Sequence, residues 1–191
     1  LSAVLAEHGR VGPALGLVLD GFGLGDDGTA WGGELLLVEH GHCQRLGHLA
    51  PLPQPGGEAV ARQPWRLATA VLAQLGLGRE AERRFGRRWP VAALHGNVPD
   101  QLDLSPLWRA LLDCGLCDGA ELFHGTLAAG LTELAISALR RRGLSEIVLS
   151  GGCVGNQVLT ESLVANLSRH GIAVLLPRRL PITVRSMCRL P

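Results

Sequence analysis

The chain has 191 residues, room for one domain with a sizeable core. Every one of its 18 Lys/Arg positions is arginine and tyrosine is absent, which excludes a Schiff-base lysine, a P-loop lysine and a tyrosine acid/base. With 17 acids the net charge is +1, so there is no basic field for nucleic acid or an anionic membrane.

Ser2 to Glu7 reads as a helix that His8-Gly9 stops. Ala14-Leu-Gly-Leu-Val-Leu-Asp20 reads as a buried strand ending in a carboxylate, and Phe22 to Gly28 as turn material. Trp31 to Glu39 and His42 to Leu49 follow as two strands joined at His40-Gly41, which makes an antiparallel meander. Pro51 to Gly57 is a loop, and Glu58 to Leu75 places Val60, Trp65, Leu67, Val71, Leu72 and Leu75 at the spacing of one amphipathic helix. From Gly76 to Asp103 the arginines crowd together and Pro90, Gly96, Asn97 and Pro99 interrupt any period, so a linker or remodelled insert is expected.

Ser105-Pro106 has N-cap and N1 chemistry for a short helix through Leu112, and Asp118 is the expected cap of a longer one closed by Arg140 to Arg142 and Gly143. Glu146 to Ser150 is a strand, Gly151-Gly152 a tight turn, Gln157 to His170 a helix and Ile172 to Leu176 a second strand. This β-α-β unit predicts two parallel neighbours.

Gly23-Leu-Gly25-Asp-Asp-Gly28 matches the dinucleotide pattern G-x-G-x-x-G, but a strand follows where a helix must open, and Asp26-Asp27 would repel phosphate. A hairpin turn is the better reading. Asp20-Gly21 admits two readings of equal weight: a metal- or substrate-binding carboxylate at a strand end, or an Asx turn. Leu149-Ser-Gly-Gly-Cys-Val-Gly-Asn156 carries the strongest signal, because strand, Ser-Gly-Gly and helix start present bare amides and a positive helix end to an anion. Ser150, Gly151, Gly152 and Asn156 are the candidate phosphate-binding residues, with Asn156 able to cap the helix or bond a ligand oxygen. An ordinary tight strand-to-helix turn is the alternative.

Cys114 and Cys117 have redox spacing without a second Cys/His pair and read as loop cysteines. His40, His42 and His48 read as solvated hairpin positions, and His124 as a packed or capping histidine. The five cysteines are odd in number and scattered, as in a reduced, cytoplasmic protein, and the apolar runs found are too short to cross a bilayer. The start at Leu1 is expected of a piece of a longer protein. The 37 leucines and 26 glycines point to GC-biased coding as the source of the missing lysine.

Leu19-Asp-Gly-Phe-Gly-Leu-Gly-Asp-Asp-Gly-Thr-Ala-Trp-Gly-Gly-Glu34 strongly resembles the HypF carbamoyltransferases of [NiFe]-hydrogenase maturation. Arg45-Leu-Gly-His-Leu49, Pro55-Gly-Gly-Glu58, Gln63-Pro-Trp-Arg66, Phe123-His124, Ser150 to Asn156 and Leu176-Pro-Arg-Arg-Leu-Pro181 continue the likeness in order.

The resemblance implies an α/β fold, an incomplete actin-like (ribonuclease-H-like) domain whose antiparallel meander is followed by helices and the β-α-β unit. It divides the chain into residues 1–78 and 97–181 of a transfer domain, a remodelled linker at 79–96 in place of the family's nucleoside-binding segment, and an aberrant tail at 182–191. Activity implied by the resemblance is conversion of carbamoyl phosphate and ATP, by the enzyme's missing amino-terminal domains, into carbamoyl adenylate. The carbamoyl group then passes to the terminal cysteine of a HypE acceptor and becomes the cyanide ligand of the hydrogenase iron. In that scheme Asp20 is one ligand of a divalent metal, iron or zinc, and Ser150, Gly151, Gly152 and Asn156 form the phosphate-side loop.

The family's histidine motif would end just before Leu1, and its closing carboxylate turn is replaced after Pro181 by Ile182-Thr-Val-Arg-Ser-Met-Cys-Arg-Leu-Pro191. A frameshift near Pro181 would explain that tail. A non-catalytic remnant or partner-binding module is the alternative reading, and a tRNA threonylcarbamoyl transferase is disfavoured by Trp31 to Glu34 and Pro64 to Arg66.

Overall fold

The computed structural model describes residues 1–57, 59–85 and 101–178. Strands β1 (Ala14–Leu24), β2 (Ala30–Glu39), β3 (His42–Leu49), β4 (Gln101–Leu102), β5 (Glu146–Ser150) and β6 (Ala173–Leu175) form one sheet in the order β4-β3-β2-β1-β5-β6. The meander is antiparallel, and β1 then pairs parallel with β5, from Leu15 opposite Ile147 to Val18 opposite Ser150. β5 and β6 are parallel, as the β-α-β pattern requires.

The two-residue period of β1 sorts its side chains onto two layers. Leu15, Leu17 and Leu19 join Leu35 and Leu37 of β2 and Ile147 and Leu149 of β5 on one face. There they meet α6 (Leu116–Arg142), through Leu131, Ala135 and Leu139, and α7 (Gln157–Arg169), through Leu159, Leu163 and Leu167. Ala14 and Val148 face the other way and pack with Val4 and Leu5 of α1 (Ser2–Glu7).

Several local expectations give way to specific contacts. β1 runs on to Leu24, so only the end of the segment 22–28 is turn. The helix expected over 58–75 is two, α2 (Ala59–Arg62) and α3 (Pro64–Gln74), because the residue before a proline is pushed out of the helical region and Gln63 sits at φ −132°, ψ 77°. Arg79, Arg83 and Arg84 lie on a helix, α4 (Gly78–Phe85), packed on α3, with Arg83 and Arg84 both bonded to Glu80. The rest of the expected linker, from residue 86 to 96, lies outside the described residues, as do Pro181 and the tail.

Ser105 is not the cap of α5 (Ser105–Leu112). Leu104 holds that position, and the Ser105 amide donates to Asp103 Oδ1 at 2.8 Å. Gly115, not Asp118, precedes α6, leaving Asp118 in its first turn, where its charge suits the helix dipole, and Cys117 inside the helix.

Within Asp118–Arg142 of α6 an 18-residue stretch with mean hydropathy 1.3 is also long and apolar enough to cross a membrane, which the sequence reading overlooked. Here that apolar face is spent on the sheet, where Ala128, Leu131 and Ala135 are fully buried.

Candidate functional site

The parallel pairing of β1 with β5 brings their carboxyl ends side by side, the place where open α/β sheets bind ligands. Just past that point β1 bulges. Leu19 pairs with Gly33 and Gly23 with Trp31, so Asp20, Gly21 and Phe22 together oppose Gly32 alone. A Cβ at Gly32 would stand 3.0 Å from the Asp20 carbonyl oxygen, which is why the bulge needs glycine opposite it.

Asp20 emerges exposed from the bulge, and its Oδ1 accepts the Gly21 amide at 3.1 Å. The Asx role in the hairpin falls instead to Asp27, whose Oδ1 accepts the Thr29 amide at 2.9 Å, the Thr29 hydroxyl at 2.6 Å and the Trp31 indole N–H at 3.0 Å. These bonds hold the Asp27 carboxyl below the usual range. The G-x-G-x-x-G segment is therefore a hairpin.

From Ser150, itself buried, the chain turns sharply. Gly151 has φ +98°, and a Cβ there would run into the Leu19 carbonyl oxygen, so the turn lies directly against the end of β1. A 3-10 turn, Gly152–Gly155, leads into α7. Asn156 caps that helix, its Oδ1 accepting the Leu159 amide at 3.2 Å, while the Thr160 hydroxyl donates to the Val154 carbonyl oxygen. The Leu159 amide is thus taken by the cap and the Val154 amide by the Gly151 carbonyl oxygen, and the first amides ahead of each are the ones such a turn and helix leave open to an anion.

Asp20 and the loop share one electrostatic neighbourhood: burial, and then the Asp20 charge, pushes the Cys153 thiol up. Sequence reasoning missed this pairing, and also the contact of Asn156 Nδ2 with His124 Nε2 at 3.1 Å across α6 and α7. Neither is a spacing in one dimension.

The Trp31 to Glu34 motif supports the bulge from outside. Arg45 stacks over Trp31, 4.4 Å from the ring centre, and reaches Glu34 Oε1 at 3.1 Å and Asp27 Oδ2 at 3.5 Å. Gly33 admits the Leu49 side chain, which stands 2.5 Å from where a Cβ would be. His48, expected in solvent, is buried, with Nδ1 2.8 Å from the Leu49 carbonyl oxygen.

Among the described residues no three His, Cys, Asp or Glu side chains converge as a metal site would require. Asp20 alone does not fit a divalent ion, and Cys43, Cys114 and Cys153 are free thiols.

Comparison with known proteins matches the chain, over residues 16–93 and 81–184, to the profile of "Carbamoyltransferase, Kae1-like Domain, second subdomain". The carbamoyltransferase HypF2 of Cupriavidus necator is 35% identical, over 95% of this chain and 33% of that protein. HypF of Rhizobium leguminosarum bv. viciae is 32% identical, over 95% of this chain and 32% of its own. A full-length HypF crystallised in a phosphate- and nucleotide-bound form superposes with TM-score 0.74 at 20% identity, over 95% of this chain and 32% of that one, and shows the actin-like fold.

The chain thus spans about a third of the length of these relatives. The C. necator alignment runs over 268 positions against 191 residues, so at least 77 positions of that relative have no counterpart here. On the profile match and these identities, the chain belongs to the HypF carbamoyltransferase family.

Proposed function

We propose that this chain carries the phosphate side of a carbamoyl-transfer site, in which Ser150, Gly151, Gly152 and the start of α7 hold the phosphate of carbamoyl adenylate. The observation that supports it is the sharp strand-to-helix turn: Gly151, at φ +98°, seats the chain against the end of β1 and leads through Gly152–Gly155 into α7, the arrangement of amides and helix start that cradles phosphate. In the transfer step an acceptor cysteine thiolate attacks the carbamoyl carbon, the bond from that carbon to the phosphate oxygen breaks, and AMP leaves carrying the electron pair. The loop amides stabilise the leaving phosphate.

The acceptor this reading implies is a HypE-type protein with a carboxyl-terminal cysteine, and the product is the precursor of the hydrogenase cyanide. Carbamoyl phosphate and ATP would be consumed by the adenylate-forming part of the enzyme. Asp20 does not hold an iron or zinc ion by itself, so no step is assigned to a metal.

A second reading, a non-catalytic remnant, is favoured by the positions without counterpart and by the single carboxylate at the site among the described residues. The test supplies this chain with an adenylate-forming HypF domain, carbamoyl phosphate, ATP and a cysteine-terminated acceptor, and follows S-carbamoylation by mass spectrometry. Carbamoyl transfer that requires this chain is the expected result. No transfer together with no binding of AMP leaves the remnant reading.

A further inference from the structure

Two hydrogen bonds fix the state of His124. Its Nδ1 lies 2.8 Å from the Ala120 carbonyl oxygen one turn earlier in α6. A carbonyl oxygen can only accept, so Nδ1 carries the proton and Nε2 is left as an acceptor. On the other side, Asn156 Oδ1 accepts the Leu159 amide, so the end of the side chain facing the ring is Nδ2, a donor. Tautomer and amide orientation are each set by a backbone group, and the two assignments agree.

We propose that His124 is a positioning residue for the loop from Ser150 to Asn156. The neutral ring locks the Asn156 amide in the one orientation that caps α7, and protonation or loss of Nε2 releases it. The lock stands on this geometry; its effect on ligand binding rests on reading the loop as a phosphate site.

An imidazolium would set Nε2–H against the Nδ2 hydrogens, donor against donor. Rotating the amide repairs that contact only by turning its NH2 onto the Leu159 amide, so the cap is lost either way. The ring is held for this task by aromatic packing. Phe123 meets it edge-on at 5.3 Å between centres, and Trp108 of α5 stacks on Phe123 at 6.0 Å. The charged groups carried by the elements that meet here include Asp118 and Glu121 on α6, Arg109 on α5, Asp20 at the end of β1, and Glu161 on α7, which Gln157 engages at 2.7 Å. Among the described residues none forms an ion pair with His124.

The experiment uses the whole chain, labelled with 15N, as wild type and as His124→Phe and His124→Gln. Between about pH 8 and about pH 5, where histidine changes charge, the Leu159 amide of the wild type, corrected for intrinsic exchange, should exchange about five-fold faster at the acid end, the factor of a lost helix cap. His124→Phe keeps the ring packing without the acceptor and should exchange fast throughout. His124→Gln offers a carbonyl that does not titrate and should restore slow exchange at both ends. Binding of inorganic pyrophosphate should follow the same order.

An Nε2–H tautomer in the wild type at about pH 8, or equal Leu159 protection in wild type and His124→Phe, overturns the lock. If Leu159 behaves as expected while the wild type takes up no pyrophosphate, the lock is upheld and the phosphate reading falls.

Discussion

Gly151 is where a single methyl group would do most damage. The residue combines a left-handed backbone with a Cβ direction blocked by the Leu19 carbonyl, which is backbone and cannot rotate aside. Gly151→Ala is expected to cost about 3 kcal/mol, read as a lower denaturant midpoint, and to abolish phosphate binding in the fraction that folds.

The pair of buried Glu34 and half-buried Arg45 makes a prediction that depends on pH. Burial pushes the Glu34 carboxyl up from its ordinary 4.5, against the pull of the Gly32 amide and Arg45. The native state therefore binds that proton more tightly than the unfolded chain. Stability from this group is complete below 4.5 and declines as pH rises through the raised value. Glu34→Gln should remove that decline in a series of denaturant midpoints. Arg45→Ala should do the reverse, costing about 3 kcal/mol at neutral pH by stranding a buried carboxylate, and less at acid pH, where Glu34 takes up its proton. At this scale the sequence exposed Asp20 and the glycines of the loop. The burial of His48 and the Asn156 partner of His124 were illegible, because neither is a local property of the sequence: Asn156 lies 32 residues from His124.

Helices show where local chemistry decides and where it yields. Gly143 ends α6 in the left-handed region at φ +65°, and nothing lies within 4 Å of where its Cβ would be. Gly143→Ala should thus cost only the conformational term, about 1 kcal/mol, well under Gly151→Ala in the same denaturation experiment. Both glycines have positive φ, and surroundings separate them. The stop at Gly143, the strands of the meander and the parallel β-α-β unit were legible because each rests on a short-range rule. The cap at Asp118 was misplaced by about one turn, because Gly115 could start the helix earlier. The continuation of β1 beyond Asp20 was hidden, since its pairing passes through a bulge that glycine at position 32 on the neighbouring strand accommodates.

For the whole molecule, the question is how much of a binding site a chain of this length holds. The family profile matches the chain in two pieces, residues 16–93 and 81–184, and at least 77 positions of the C. necator relative have no counterpart here. Among the described residues the core is built by β1, β2, β5, α6 and α7, which bury one another. A metal site is more demanding, since each missing ligand removes a bond and leaves the remaining carboxylate solvated at no cost to the fold. Asp20 is exposed and its only hydrogen bond among the described residues is to its neighbour's amide. The purified chain should therefore retain well under one iron or zinc per chain after dialysis, measured by inductively coupled plasma mass spectrometry. Asp20→Asn should leave both that content and the thermal midpoint unchanged. One tightly held ion per chain, lost in Asp20→Asn, would show that residues outside those described complete the site.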